Sequence, residues 1–177
     1  RAPDYHFLPV GNAGNISAYW MGYTEYCDAG IVSERPVMVG CQASGAAPFL
    51  RGHSVDEPET IATAIRIGCP QSWVLAKQAQ EESQGWFRES RDEDILMAQK
   101  VLAEREGIFC EPASAVCIAG LIAELECQTI PSGATIVCTL TGHGLKDPDT
   151  AVSQSRQPMK VSPNPTAVRD VILGELD

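Results

Sequence analysis

The sequence predicts an α/β protein in which a mostly parallel sheet carries helices on both faces. Three strongly apolar runs, Phe7–Val10, Pro36–Gly40 and Ala134–Leu140, have the composition of strands that are buried on both sides. Helical patterns separate these runs. The clearest is Asp92–Glu106, which is acidic in its first turn and is followed by Gly107. Strands that alternate with helices at this spacing are typical of parallel sheets.

The first half of the chain adds weaker elements between the apolar runs. We expect a helix from about Asn15 to Ala29, and the small residues of Cys41–Pro48 indicate a tight turn or a short helix. Pro58–Ile67 has a proline early in a helical pattern, so a helix is expected there as well. Ser72 has the chemistry of an N-cap for a helix that runs to about Gln84.

The second half is expected to contribute two short strands and two further helices. The strands are Gly85–Ser90 and Ile108–Cys110, and Pro112–Cys127 has the alanine-rich, apolar composition of a helix that packs against a sheet. The Pro- and Ser-rich segment from Asp147 to Asn164 is expected to be irregular. A last helix is expected over Thr166–Leu176.

Composition limits the classes of function. With 177 residues, 44% of them hydrophobic, the chain can bury the core of one globular unit. Its net charge of −10 argues against nucleic acids and anionic membrane surfaces as partners. The negative charge does not argue against a small phosphorylated ligand, because distant surface charges are screened by salt. No apolar run reaches the roughly 20 residues of a membrane-spanning helix.

The seven cysteines indicate a reducing compartment. Their number is odd, they form no C-x-x-C pair, and most of them lie in apolar runs. We therefore expect reduced, buried thiols in a cytoplasmic protein, and neither a metal site nor a disulfide framework.

The loop Gly11–Asn15 directly follows the first apolar run and has the features of an anion-binding cradle. Its two glycines allow a tight turn that brings backbone N–H groups close to a ligand. The helix that follows directs the positive end of its dipole toward the same point. The loop is neither a nucleotide P-loop nor a G-x-G-x-x-G turn. On its local pattern alone, it could equally be an ordinary strand-to-helix turn.

A second strand end carries suitable chemistry, and open parallel sheets bind ligands at the carboxyl ends of their strands. The run Thr139–Pro148 leaves the last apolar strand with hydroxyls, glycines and His143, for which we expect a hydrogen bond to loop backbone. Glu111 and Ser114 stand at the start of a buried helix. They are either caps that satisfy helix N–H groups or part of a site.

Four motifs follow one another between about Pro3 and Pro148: Gly11-Asn-Ala-Gly-Asn-Ile, Pro58-Glu-Thr-Ile-Ala-Thr-Ala-Ile-Arg-Ile-Gly, Glu111-Pro-Ala-Ser-Ala and Thr141-Gly-His-Gly-Leu-Lys-Asp-Pro. In sequence and in order they resemble the motifs of threonine synthases, which are fold-type II pyridoxal-phosphate enzymes. The resemblance implies the larger-domain portion of a tryptophan-synthase-beta-like fold. It also implies an enzyme of threonine biosynthesis that converts O-phospho-L-homoserine and water to L-threonine and phosphate.

The resemblance further implies pyridoxal 5'-phosphate as cofactor and roles for seven residues. Thr141 would place a hydroxyl against the pyridine nitrogen, and the backbone at Ala64 would pack against one face of the ring. A hydroxyl, unlike a carboxylate, does not force that nitrogen to stay protonated. The residues that would hold the cofactor phosphate through backbone N–H groups are Gly11, Asn12, Ala13, Gly14 and Asn15.

The lysine that forms a Schiff base with the cofactor in this family has no matching motif in the sequence. Lys77, Lys100 and Lys160 lie in charge-rich or irregular surroundings, and Lys146 belongs to its own loop motif with a structural or surface role. We therefore assign no catalytic and no metal-binding residue. We expect a fragment that is inactive alone, with residues 1–148 as the C-terminal part of the catalytic domain and residues 149–177 as an irregular segment and a helix.

The opening at Arg1, close to an apolar strand, also favours a fragment, and a truncated sheet edge at Phe7–Val10 would expose apolar surface. As an intact enzyme the family is usually a homodimer that acts on a small molecule. Two alternatives stay open. One is another fold-type II enzyme, such as a threonine or serine dehydratase; the other is a non-catalytic half-domain that binds a phosphorylated ligand.

Overall fold

The computed structural model describes residues 1–155 and 158–174, which form a four-stranded sheet with helices around it. The strands are β1 (Tyr5–Pro9), β2 (Val37–Ala43), β3 (Trp86–Ser90) and β4 (Ile136–Cys138). The helices are α1 (Gly14–Asp28), α2 (Pro48–Arg51), α3 (Trp73–Glu82), α4 (Asp92–Val101), α5 (Pro112–Glu126), α6 (Pro148–Gln154) and α7 (Pro165–Gly174). Every strand pairing is parallel, in the order β3-β2-β1-β4, so the predicted α/β class is confirmed.

Strand β1 lies in the interior of the sheet. Tyr5 pairs with Val37 of β2 on one side and with Ile136 of β4 on the other. Because β1 has neighbours on both sides, Phe7 and Leu8 are fully buried. The expectation of an open sheet edge at Phe7–Val10 is therefore wrong, and β3 and β4 form the edges.

Helices cover both faces because successive side chains of a strand point to opposite sides. Phe7 belongs to the core on the face covered by α4 and α5, whereas Leu8 belongs to the core on the face covered by α1 and α3. Each fully buried Phe, Leu or Ile side chain contributes about 1.5–3 kcal/mol to folding. Helix α5 packs especially closely, since a Cβ at Gly120 would lie 2.6 Å from the Sγ of Cys41.

The predicted helix over Pro58–Ile67 is wrong, and only a 3-10 turn, Thr63–Ile65, forms there. Other segments use the backbone donors of this stretch. The N–H of Glu59 donates to the carbonyl of Gly45 at 3.0 Å, and the N–H of Ile61 donates to the carboxylate of Asp92 at 3.0 Å. Tertiary hydrogen bonds therefore override the helical pattern.

One predicted strand is absent from the structure and another is shorter than predicted. Ile108–Cys110 forms no strand but a single antiparallel bridge between Cys110 and His143, and Ala134–Leu140 narrows to β4. The predicted helix Asp92–Glu106 is present as α4, and its last turn, Leu102–Glu106, is π-helical.

The segment from Asp147 to Asn164 is not irregular throughout. It contains α6, whose first turn is capped by Asp147 through a hydrogen bond from the N–H of Thr150 at 3.3 Å. Arg156 and Gln157 in this segment, and Glu175 and Leu176 of the predicted last helix, lie outside the described residues. Within residues 1–155 and 158–174, no helix combines the length and apolar character needed to cross a membrane.

Candidate functional site

The cradle loop Gly11–Asn15 connects β1 to α1 at the carboxyl edge of the sheet. The side chain of Asn15 fixes its far end, because its amide donates to the carbonyl of Pro9 and its Oδ1 accepts the N–H of Ile16 at 2.8 Å. The carbonyl of Asn12 accepts the N–H of Ser72 at 3.1 Å, which ties the loop to the start of α3. These contacts hold the loop without using its own N–H groups.

The N–H groups of the cradle are available to a ligand. In the described part of the chain, none of them donates to a protein acceptor; the residues are Gly11, Asn12, Ala13, Gly14 and Asn15. The first turn of α1 contains no acidic residue, so no carboxylate there opposes the positive end of the helix dipole. Aligned N–H donors at a helix N-terminus are the usual protein site for a phosphate group.

Ala13 has a left-handed backbone, with φ 65° and ψ 10°, and is 2% exposed. A non-glycine residue in this region carries roughly 1–2 kcal/mol of strain. Such strain persists only where the surrounding structure fixes the conformation, and it is concentrated at functional sites. At Ala13 it sets the turn of the cradle immediately before α1.

Gly11 faces the Thr63–Ile65 turn at close range. A Cβ at this position would lie 3.0 Å from the Cα of Ile65 and 3.3 Å from the carbonyl oxygen of Ala64. A side chain larger than hydrogen would therefore narrow the space between the cradle and this turn.

The opposite wall of the site is the turn after β4, which Ser114 of α5 holds in place. The N–H of Gly142 donates to the hydroxyl of Ser114 at 2.8 Å, and this hydroxyl lies 3.1 Å from the Oγ1 of Thr141. Ser114 is fully buried, whereas Thr141 is exposed. Ser114 therefore contacts the turn and not the helix N–H groups, so the interpretation of it as a helix cap is wrong.

Glu111 is likewise not a side-chain cap, although it occupies the N-cap position of α5. The residue is 2% exposed, and its Oε1 lies 3.4 Å from the Nζ of Lys146. A Cβ at Gly142 would clash with the same carboxylate. The pair places one negative and one positive group beside Thr141.

His143 accepts the N–H of Leu145 on its Nδ1 at 3.2 Å, which confirms the predicted contact with loop backbone.

These elements enclose one cavity of about 330 Å³. All seven residues that the sequence assigned to a cofactor line it, together with Pro9, Ile65, Ile67, Glu111, Ala113 and Lys146. The volume is within the range of small-molecule sites, roughly 300–1,000 Å³. The structure thus brings the predicted residues together, and their individual roles toward a ligand stay predictions.

Residues 1–142 match the protein family described as "Pyridoxal-phosphate dependent enzyme". The chain belongs to this family. Among curated relatives, threonine synthase of Mycobacterium tuberculosis is 54% identical over 167 residues, which are 94% of this chain and 46% of that protein. Threonine synthase of Synechocystis is 51% identical over 165 residues, covering 93% of this chain and 43% of that protein. The chain therefore spans somewhat less than half the length of these relatives.

Solved structures of the same fold include threonine deaminase isoform 2 from Solanum lycopersicum. That structure superposes with a TM-score of 0.68 at 21% sequence identity, over 86% of this chain and 43% of the other. At this identity the likeness shows the fold alone. The chain thus has the fold-type II architecture that the sequence predicted.

The residues of the cavity fit pyridoxal phosphate, the cofactor that defines the family. The uncommitted N–H groups of the cradle suit its phosphate, and Thr141 contributes a hydroxyl to the lining of the same cavity.

Sequence reasoning missed one buried polar residue near the site, His6 on β1. It is 1% exposed, its Nε2 lies 2.7 Å from the Oγ1 of Thr139, and its Nδ1 lies 3.2 Å from the hydroxyl of Tyr23. The only signal in the sequence is a histidine within an apolar strand. His6 links β1, α1 and the strand that leads to Thr141.

Proposed function

We propose that the chain forms the phosphate and ring-nitrogen side of the cofactor site of a threonine synthase. The activity is the conversion of O-phospho-L-homoserine and water to L-threonine and phosphate. The observation that carries the proposal is the convergence of the cradle and Thr141 on one cavity at the carboxyl edge of the sheet. Identities above 50% to threonine synthases over most of the chain support this activity.

Each part of the cavity has a role in this proposal. The cradle N–H groups bind the phosphate, and the helix dipole adds to their attraction without a cationic side chain. The Thr141 hydroxyl bonds to the ring nitrogen, and the backbone at Ala64 packs against the ring face. When bound, pyridoxal phosphate supplies an electron sink for proton removal from the substrate. The residues of this chain hold and orient it.

We further infer that the lysine that bonds covalently to the cofactor comes from outside these 177 residues. Of the four lysines, Lys146 lines the cavity, but its ammonium pairs with the carboxylate of Glu111. An ammonium group held by a carboxylate is a poor nucleophile. Lys77 bonds to Gln80 and Lys100 pairs with Glu104. Neither of these two lysines lines this cavity, and Lys160 does not line it either.

Borohydride reduction and peptide mapping test the location of the lysine. The chain is incubated with pyridoxal phosphate, reduced, digested and analysed by mass spectrometry. We expect no stoichiometric adduct on any lysine and no turnover of O-phospho-L-homoserine by the chain alone. A stoichiometric adduct on Lys146 that is accompanied by turnover would show that this chain carries a complete site.

Product analysis of the whole protein that contains this chain tests the reaction. Phosphate release from O-phospho-L-homoserine with formation of L-threonine supports the proposal. Ammonia release from L-threonine without phosphate chemistry would instead indicate a dehydratase, and cofactor binding with neither reaction would indicate a non-catalytic half-domain.

Gly11→Ala, which narrows the cradle, is expected to weaken pyridoxal-phosphate binding at least tenfold, because a displaced phosphate loses about 1.4 kcal/mol or more of hydrogen bonding.

Compartment and assembly follow as parts of the same proposal. The expectation that the thiols are buried is wrong for Cys69 and Cys127, which are exposed. A reducing, cytoplasmic setting is part of the proposal. We infer that the intact enzyme acts on its small-molecule substrate as a homodimer, without a nucleic-acid or membrane partner. Sedimentation of the intact protein measures its assembly.

A further inference from the structure

The buried Ser114 has hydrogen-bond partners that define the direction of a chain of bonds. Its hydroxyl can accept up to two hydrogen bonds and donate one. The N–H of Gly142, which can only donate, takes one acceptor site at 2.8 Å. Two acceptors compete for the Ser114 proton, namely the Oγ1 of Thr141 at 3.1 Å and the carbonyl of Gly142 at 3.3 Å.

The competition favours Thr141. The carbonyl of Gly142 already accepts the N–H of Glu111 at 3.0 Å, and it lies farther from the Ser114 hydroxyl than the Thr141 oxygen does, at 3.3 Å against 3.1 Å. The Thr141 oxygen is nearer, and no other donor to it is found in the described part of the chain. This geometry favours bonds that run from the N–H of Gly142 to Ser114 and from Ser114 to Thr141.

This direction determines what Thr141 presents to the cavity. Since its oxygen accepts from Ser114, its own proton is left to point away from Ser114 and toward the cavity that Thr141 lines. A hydroxyl donor requires an acceptor, and a pyridine nitrogen is an acceptor only when it carries no proton. In a chain of hydrogen bonds each bond strengthens the next. The bond from the Gly142 N–H to Ser114 therefore also favours Thr141 as a donor to an unprotonated ring nitrogen.

We propose that Ser114 is a positioning residue that makes the Thr141 hydroxyl a hydrogen-bond donor toward an unprotonated ring nitrogen. The inference rests on the cofactor site proposed above. Ser114 does not line the cavity and acts only through Thr141. Without the Ser114 hydroxyl, the Thr141 oxygen lacks its donor and accepts best from a protonated ring nitrogen. Loss of Ser114 therefore favours protonation of the ring.

The test is nitrogen NMR of the whole protein that contains this chain, bound to pyridoxal phosphate labelled with ¹⁵N at the ring nitrogen and recorded across neutral pH. In the unsubstituted chain we expect the chemical shift of an unprotonated, hydrogen-bonded nitrogen. In Ser114→Ala we expect the ring-nitrogen pKa to rise by about one pH unit, a tenfold change in the ratio of protonated to unprotonated ring. Ser114→Cys keeps a weak donor of similar size and is expected to lie between the two.

Ser83→Ala is the matched control. Ser83 is also buried, at 7% exposure, and also accepts a backbone N–H, that of Met38 at 3.3 Å, but it does not line the cofactor cavity. This variant loses a comparable bond and is expected to leave the nitrogen shift unchanged. A merely structural role for Ser114 predicts the same shift in the Ser114 and Ser83 variants and would overturn the inference.

Amide hydrogen exchange gives a second measurement that needs no cofactor. We expect the Gly142 amide to be protected in the unsubstituted chain and to exchange at least tenfold faster in Ser114→Cys, because sulfur is a weaker acceptor. An unprotected Gly142 amide in the unsubstituted chain would contradict the geometry and overturn the inference. Failure of the whole protein that contains this chain to bind pyridoxal phosphate overturns the proposed function and this inference with it, whereas binding with identical nitrogen shifts overturns this inference alone.

Discussion

Replacement of His6 by glutamine is expected to remove much of the acid sensitivity of the fold. The imidazole is 1% exposed and lies between the hydroxyls of Thr139 and Tyr23. Burial disfavours the charged ring and lowers the pKa of His6 from 6.5 to about 4. The folded protein therefore holds His6 neutral at pH values where the unfolded chain has already bound a proton.

The sign and the size of the effect follow from this difference. As the pH falls below about 6.5, protonation stabilises the unfolded chain, and stability is lost until the pH reaches the folded-state pKa of about 4. A difference of about 2.5 pH units at about 1.4 kcal/mol each corresponds to roughly 3 kcal/mol. A loss of this size is a large part of a typical domain stability of about 5–15 kcal/mol.

Urea unfolding at neutral and at acidic pH measures this contribution. Between about pH 7 and pH 4.5 we expect the unsubstituted chain to lose about 2–3 kcal/mol more than His6→Gln, since most of the His6 titration lies in this interval. His53→Gln, at an exposed position, is the control and is expected to follow the unsubstituted chain. Equal losses in His6→Gln and the unsubstituted chain, or NMR titration of His6 near pH 6.5, would refute the reasoning.

Two further substitutions test the cradle and the core. Ala13→Gly is expected to stabilise the chain by up to about 1 kcal/mol in urea unfolding, because relief of left-handed strain exceeds the entropy lost by glycine; a destabilised variant would show that Ala13 is unstrained. Glu124→Gln is expected to reduce the free energy of unfolding by about 2–3 kcal/mol, because the buried carboxylate accepts from Arg88 at 2.8 Å and from the indole of Trp86 at 3.0 Å. Glu104→Gln, in an exposed ion pair, is its control and should change stability by less than about 0.5 kcal/mol; equal effects of the two would contradict the role of burial.

Local signals made the cradle predictable. The glycines at Gly11 and Gly14, the apolar run before them and the helical pattern after them lie within one short stretch, and their geometry depends on few distant contacts. The parallel sheet was predictable for the same reason, because strand and helix periodicities are local properties of the chain.

The features that the sequence did not predict depend on contacts between residues that are distant in sequence. Ser114 reads as a helix cap until its neighbour Thr141, 27 residues away, is brought beside it. The stretch Pro58–Ile67 has a helical period, but Asp92 accepts the N–H of Ile61, and no local pattern in the sequence indicates that competing bond. Periodicity predicts which face of a helix or strand is buried, but it does not predict which residues that face contacts.

The pairing of β1 with β4 sets the order in which the site can assemble. The contact between His6 and Thr139 joins positions 133 residues apart, and the strand pair beside it closes a loop that contains all the other strands. Contacts of such long range form slowly, because the entropy of loop closure is lost before the strand gains its hydrogen bonds. During synthesis the cradle emerges more than a hundred residues before Thr141, so it is exposed before the other end of the cavity has been made. The two ends of the cavity therefore come together only late in folding, and a chain stalled before that step exposes β1 as a pairing surface for another molecule.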